Sequence, residues 1–366
     1  MKNVLKKVGI LNFHHSTHNY GAVLQAYALQ EALAKLGYDA EHISLFNTKT
    51  RIKNYYIKIK NLIKIFLRIE FMIKGQEQFQ IFRDKYLRTS KDKFLSMKQL
   101  INRDFNYDSI IVGSDQVWRP RYLNKFIDAY FLSFVRKPIK KIAYAASFGV
   151  DYWEHTDDLD LTEKIKNHIK DFTAVSVREV SGVEICKKHF DTEALHVLDP
   201  TLLVGKDIFL NIIANPKKTC EGIVYCILDK RPDFTDFLKH LESALDIQSS
   251  DIYNKRTSKY VREYLPVSEW LTQIKNSKFV ITDSFHCICF SLLFNKEFIY
   301  YINEKRGLAR IESLFQTLNI KDRIVDSLDE DYLNKILGNK LDYININKRL
   351  ENLRKPSYEF LRETLQ

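Results

Sequence analysis

Short apolar runs alternate along the chain with stretches whose apolar residues fall three or four apart, and this alternation predicts an α/β fold with parallel sheets. Val8-Gly9-Ile10-Leu11 carries no polar side chain, as a strand buried on both faces requires. From Ala22 to Leu36, Val23, Ala26, Leu29, Ala32, Leu33 and Leu36 trace one face of a helix, which Gly37 stops. Ala40 to Leu45 follows as a second strand and completes a β-loop-α-β unit.

Further strands are expected at Ser109–Val112 and Lys141–Ala146, each running into small or polar residues, Gly113-Ser114 and Ser147-Phe148-Gly149. Open α/β sheets bind ligands at strand ends of this kind. The second half repeats the theme with strands at Ala174–Arg178, Leu195–Leu198, Gly222–Leu228, Lys278–Thr282 and Glu297–Ile302, separated by helical patterns at 181–189, from Asp233, at Val267–Ile274 and at Cys287–Phe294. A chain of 366 residues has room for two cores. The pattern therefore predicts two doubly wound, Rossmann-like domains, residues 1–172 and 173–346. A charged helical tail, 347–366, is expected to be interrupted at Pro356, and residues 48–105 are expected as a lysine-rich helical insertion in the first domain.

The composition, 45% hydrophobic and 28% charged, is that of a globular protein. The N-terminus lacks the apolar core of a signal peptide, and no run of eighteen uncharged apolar residues predicts a spanning helix, so the expected location is cytoplasmic. The five cysteines (Cys186, Cys220, Cys226, Cys287, Cys289) show no C-x-x-C spacing and are expected as buried thiols. A net charge of +11 favours an anionic partner, namely a phosphate-bearing substrate, an acidic membrane surface or nucleic acid. No zinc-finger spacing or RNA-recognition signature accompanies it, so nucleic acid is not expected. His14, His15 and His18 share a loop without Cys or carboxylate partners, which does not make a metal site. Lys49 to Lys74 holds eight Lys or Arg against Glu70, interleaved with bulky apolar residues. This is the pattern of a basic amphipathic helix that either lies on an anionic membrane or packs on its own domain.

Four segments, in order, carry the candidate chemistry: Phe13-His14 with Asn19-Tyr20-Gly21-Ala22-Val23-Leu24-Gln25-Ala26; Val112-Gly113-Ser114-Asp115-Gln116-Val117-Trp118; Ser176-Val177-Arg178-Glu179; and Ile281-Thr282-Asp283-Ser284-Phe285-His286. Together they resemble the polysaccharide pyruvyl transferase family from about residue 8 to about residue 325. The resemblance implies two Rossmann-like domains facing across a cleft in the manner of B-type glycosyltransferases, phosphoenolpyruvate as donor, a surface-glycan sugar as acceptor, and no metal or organic cofactor. It also implies a donor-binding role for Arg178. The triplet that often reads Arg-Leu-His in the family is Ser284-Phe285-His286 here, so Ser284 offers a hydroxyl where a second positive charge would stand.

Ketal formation requires protonation of the donor's enol carbon, removal of hydroxyl protons and cationic anchors for phosphate and carboxylate. His286, between a strand and a helix, is expected as proton donor and phosphate ligand, the alternative being a structural histidine. Arg178 is expected to pair with a donor anion, or else to form a salt bridge with Glu179 or Asp199. Asp199-Pro200 is expected to orient these groups. Asp115, with Ser114 and Gln116 beside it, is expected to receive an acceptor proton, or to cap a helix. Asn19 and Gly21 are placed for close backbone approach to a ligand. Trp118 either stacks under a sugar ring or belongs to the core. A nucleotide-sugar glycosyltransferase on the same fold and a non-catalytic membrane scaffold are the competing readings.

Overall fold

The computed structural model describes residues 5–46, 72–213, 221–258, 260–302, 306–326 and 330–366. Among the described residues of the first 200 there are eight strands: β1 (Lys7–Leu11), β2 (Asp39–Leu45), β3 (Met72–Lys74), β4 (Thr89–Phe94), β5 (Ser109–Val112), β6 (Lys140–Ala146), β7 (Ala174–Val177) and β8 (Leu195–His196). All but β3 form one parallel sheet in the order β4-β2-β1-β5-β6-β7-β8. Apart from the exposed Lys7 that opens β1, the residues of β1 and β5 are apolar or small and buried, which is why these strands occupy its centre.

The second half supplies β9 (Ile223–Cys226), β10 (Ser249–Asp251), β11 (Lys255–Ser258), β12 (Val261–Glu263), β13 (Phe279–Thr282), β14 (Glu297–Tyr301) and β15 (Ile324–Val325). Five of these make a second parallel sheet, β10-β9-β13-β14-β15. The remaining strands join β3 in a three-stranded sheet, β11-β12-β3, which ties the first half of the chain to the second.

Two Rossmann-like domains are therefore present, but the expected boundary at 172/173 is wrong. β7 and β8 pair with the first sheet, Ile142 against Ala174 and Val177 against His196. An apolar parallel strand looks the same whichever sheet receives it, so the run at 174–177 did not reveal its partner. The described part of the expected insertion, 72–105, alternates β3 and β4 with the helices Glu77–Tyr86 and Met97–Ile101 instead of being helical throughout. Residues 49–71 of the basic segment lie outside the described residues, as does Cys220. Cys186, Cys226, Cys287 and Cys289 are buried free thiols.

Helix Tyr20–Lys35 is buried on both sides, which fixes its N-terminus between the domains. Leu29, Ala32 and Leu33 pack on the first sheet with Val8 and Ile10, whereas Tyr20, Val23 and Leu24 join the core of the second domain. The tail is one helix, Tyr343–Leu365, that continues through Pro356. Its start packs in the second domain through Ile346 and Leu350, and its end returns to the first through Phe360, Leu361 and Leu365.

Candidate functional site

In the first sheet the strand order turns at β1, with β2 on one side and β5 on the other, and the loops after β1 and β5 open a crevice there. The register sets the ends of β5, β6 and β7 side by side, so Ser114, Asp115, Ser147 and Arg178 emerge along one edge. Gly113 has φ of 120°, and a Cβ there would fall 2.1 Å from the Tyr144 carbonyl. Asp115 has φ of 77°, a left-handed conformation that Asp tolerates better than most residues. Its carbonyl accepts the amides of Val117 (2.7 Å) and Ser147 (3.0 Å), which hold the turn.

The carboxylate of Asp199 is the hub of the site. It follows β8 and caps the helix Pro200–Val204, with Oδ1 accepting the amide (2.9 Å) and hydroxyl (2.7 Å) of Thr201. Oδ2 accepts from Arg178 Nη1 at 2.6 Å and from Ser114 Oγ at 3.1 Å. Arg178 also donates through Nη2 to Asp115 Oδ1 at 3.1 Å. Burial would raise the Asp199 carboxyl, but His286, Arg178 and Thr201 outweigh it and hold the group far below the usual carboxylate range. Burial likewise opposes ionisation of Asp115, and Arg178, His286 and Arg310 overcome it, keeping that carboxyl low. The Arg178 guanidinium is desolvated, yet Asp199, Asp115 and Glu179 raise its pKa.

The second domain delivers His286. Asp283, at the end of β13, accepts the amides of Leu228 (2.7 Å) and Asp229 (3.1 Å), locking the neighbouring strand end. Three residues later His286 stands in the first turn of the helix Phe285–Leu293, 5% exposed, with Nε2 3.5 Å from Asp199 Oδ2. Its Nδ1 faces helix Tyr20–Lys35, where a Cβ on Gly21 would lie only 2.0 Å away. Gly21 thus serves close packing on the imidazole.

The expected residues separate into three groups. His286, Asp115, Ser114, Arg178 and Gly21 come together. Asn19 and Gln116 line an adjoining cavity of about 750 Å³ that also reaches Asp115, Phe13, His15 and Arg306. Asn19 Oδ1 accepts the Ala22 amide at 3.2 Å as a helix cap, and Gln116 Oε1 accepts from Arg119 Nη1 at 3.1 Å. Trp118 stands apart as a correction to the sugar-stacking expectation: it is fully buried, stacks on Phe131 at 5.1 Å and donates Nε1–H to the Tyr130 carbonyl. Ser284 is half-buried and precedes the His286 helix without capping it through its side chain. Among the described residues no three His, Cys, Asp or Glu are grouped to hold a metal ion.

Sequence reasoning missed Arg310, gave Glu179 only as an alternative partner of Arg178 and undervalued Asp199. Glu179 Oε1 accepts the amides of Phe148 (2.6 Å) and Gly149 (3.1 Å), and burial raises its pKa despite Arg178. Arg310 reaches Phe285 from the helix Ala309–Leu318, a contact that no local pattern announces.

Two Rossmann-like domains whose strand ends meet at one cleft define the GT-B class of architecture. S. aureus MnaA in complex with UDP shares it at TM-score 0.55 and 9% identity over 98% of this chain and 95% of its own. UDP-N-acetylglucosamine 2-epimerase from Rickettsia bellii aligns at 0.52 and 9% over 99% of both chains. UGT89C1 of Arabidopsis thaliana, complexed with UDP-L-rhamnose, aligns at 0.55 and 9% over 99% of this chain and 100% of its own. At such identity the likeness is one of fold. None of the curated proteins matches the sequence. The polysaccharide pyruvyl transferase profile matches residues 19–305, and the chain belongs to that family. Its acceptor is accordingly a glycan. No helix among the described residues is long and apolar enough to cross a membrane.

Proposed function

We propose that this enzyme transfers the pyruvyl group of phosphoenolpyruvate to two hydroxyls of one glycan sugar, forming a cyclic ketal and releasing phosphate during surface polysaccharide synthesis. The observation that carries the reading is the meeting of His286 with Asp199 and Arg178 beside a cavity that ends at Asp115.

In this reaction a proton adds to the donor's methylene carbon, and the electron-poor central carbon is attacked by a sugar hydroxyl. Phosphate leaves, and the second hydroxyl closes the ring. One hydroxyl proton balances the new methyl group and the other departs with phosphate. His286 is the proton donor in this scheme. Nε2 lies 3.5 Å from Asp199 Oδ2 without a hydrogen bond between them, and Nδ1 is on the side of Gly21. Asp115, ionised at neutral pH because its carboxyl is held low, stands at the cavity as the negative charge toward which an acceptor proton moves. Arg178 keeps the two aspartates in place, a positioning role beyond the direct donor contact expected of it. The scheme uses no metal and no organic cofactor.

The glycan is proposed to be lipid-linked, with Lys49–Lys74 resting on the anionic cytoplasmic face of a membrane, since that segment pairs positive charge with bulky apolar residues. The enzyme should release phosphate from phosphoenolpyruvate only when a diol-bearing glycan is present, and mass spectrometry should find the pyruvyl ketal on that glycan. Turnover of a nucleotide sugar in place of phosphoenolpyruvate would sink the assignment.

A further inference from the structure

Both terminal nitrogens of Arg178 are committed to carboxylates, Nη1 to Asp199 and Nη2 to Asp115. That leaves it little capacity for a ligand beyond Nε, which is buried without a hydrogen-bond partner. Arg310 is placed differently. It lies in the first turn of the helix Ala309–Leu318 and is 7% exposed. Nη2 donates to the Arg306 carbonyl at 3.2 Å, Nε is buried and unpartnered, and no carboxylate among the described residues is within ion-pair distance of the guanidinium. Its Cζ lies 5.5 Å from the centre of the Phe285 ring, against which the Arg178 Cζ lies at 4.5 Å.

A desolvated cation in direct contact with no carboxylate, set beside a second cation, is costly unless something negative binds there. Burial first, and repulsion from Arg178 second, lower the Arg310 pKa, and the attraction of Asp115 and Glu179 offsets them only in part. Phe285 is the immediate neighbour of His286, and neither Ser284 nor Phe285 brings a positive charge to that loop.

We propose that Arg310 is a donor-anion ligand, its guanidinium holding a phosphate or carboxylate oxygen of the donor next to His286. This rests on the donor reading above. Charge-assisted hydrogen bonds to a planar fork are the strongest means a side chain has to fix such an oxyanion.

The full chain is titrated calorimetrically with inorganic phosphate, pyruvate and phosphoenolpyruvate as wild type, Arg310→Gln and Arg310→Lys, with thermal melting to confirm folding. Arg310→Gln should weaken phosphoenolpyruvate by about 10- to 100-fold, the worth of a charge-assisted hydrogen bond. Arg310→Lys should fall between, and the donor KM should rise more than kcat falls. Loss confined to phosphate or to pyruvate tells which oxyanion the guanidinium holds, and either supports the proposal. Unchanged affinity for all three ligands in a folded Arg310→Gln protein overturns it. Should that variant not fold, unchanged affinity in Arg310→Lys does the same, as does a wild type that binds none of the probes. Arg310-dependent anion binding without pyruvyl transfer would remove the donor reading and keep this site; transfer with an unaltered Arg310→Gln donor KM would do the reverse.

Discussion

His286 and Asp199 meet across the boundary between the two sheets, with Nε2 of one 3.5 Å from Oδ2 of the other. The histidine rides on the second domain through the helix Phe285–Leu293, and the aspartate on the first through the strand end after β8. Any motion that opens the cleft must therefore part them, so on the proposed mechanism the pair would be assembled only with the domains closed. Near analogues should therefore serve poorly at either position: the imidazole packs beside its carboxylate, and the carboxylate is simultaneously the anchor of Arg178 and Ser114.

His286→Gln should remove proton donation while retaining a polar group of similar reach. Turnover should fall by about 10²–10⁴-fold, with melting temperature little altered. A folded variant with wild-type turnover would take His286 out of the mechanism.

Gly21→Ala tests the same imidazole from the other side. The added methyl would lie 2.0 Å from Nδ1 and 2.4 Å from Cγ of His286, so the ring or the helix must move. Overpacking of this kind costs about 1–3 kcal/mol, offset in part by about 1 kcal/mol of helix propensity. The expected outcome is a modest stability loss with a large loss of kcat, approaching that of His286→Gln. Retention of full kcat would show that the imidazole position is not critical.

Much of this arrangement was legible in the sequence. The apolar runs at Val8–Leu11 and Ser109–Val112 gave buried central strands, and the small residues after them marked the crevice. Legibility failed where the information is tertiary. Nothing in Ala174–Val177 distinguishes pairing with β6 from pairing within a second sheet, and so Arg178 was placed on the wrong domain. Arg310 is invisible for a related reason: it stands more than a hundred residues from Arg178 in sequence, and only folding brings both guanidiniums to Phe285. Trp118 misled because its neighbours Ser114 and Asp115 are at the site while its own indole turns into the core.

Trp118→Ala should cost about 3–5 kcal/mol of stability, the usual range for emptying a large core site, because the indole is fully buried against Phe131 and Phe148. Trp118→Phe, which keeps the aromatic contact, should leave the acceptor KM unchanged. A raised acceptor KM at unchanged melting temperature would return Trp118 to the sugar site.

The last prediction concerns acid sensitivity. His42 is completely buried on β2, its ring 5.0 Å from that of His14, and burial lowers its pKa to about 3; His15, beside the cavity, is lowered to about 4 by burial and Arg83. In the unfolded chain both titrate near 6.5, so the unfolded state takes up protons first as the pH falls. The stability they contribute is fully present above about pH 6.5 and declines below it, continuing for His42 down to its folded value of about 3. Each such histidine gives a slope of about 1.4 kcal/mol per pH unit well inside that window. Asp115 and Asp199 act at lower pH: their folded pKa values are depressed, so their contribution is present above the unfolded carboxyl value of about 4 and is lost only as pH falls through the folded ones. Glu179, whose carboxyl burial raises, can also titrate between pH 6.5 and 4.5, but alike in both proteins, so the difference between wild type and a His42 variant over that interval isolates His42. Urea unfolding of wild type and His42→Phe across that interval should show a variant slope shallower by about one proton. Parallel slopes would mean that His42 is not neutral and buried in the native protein.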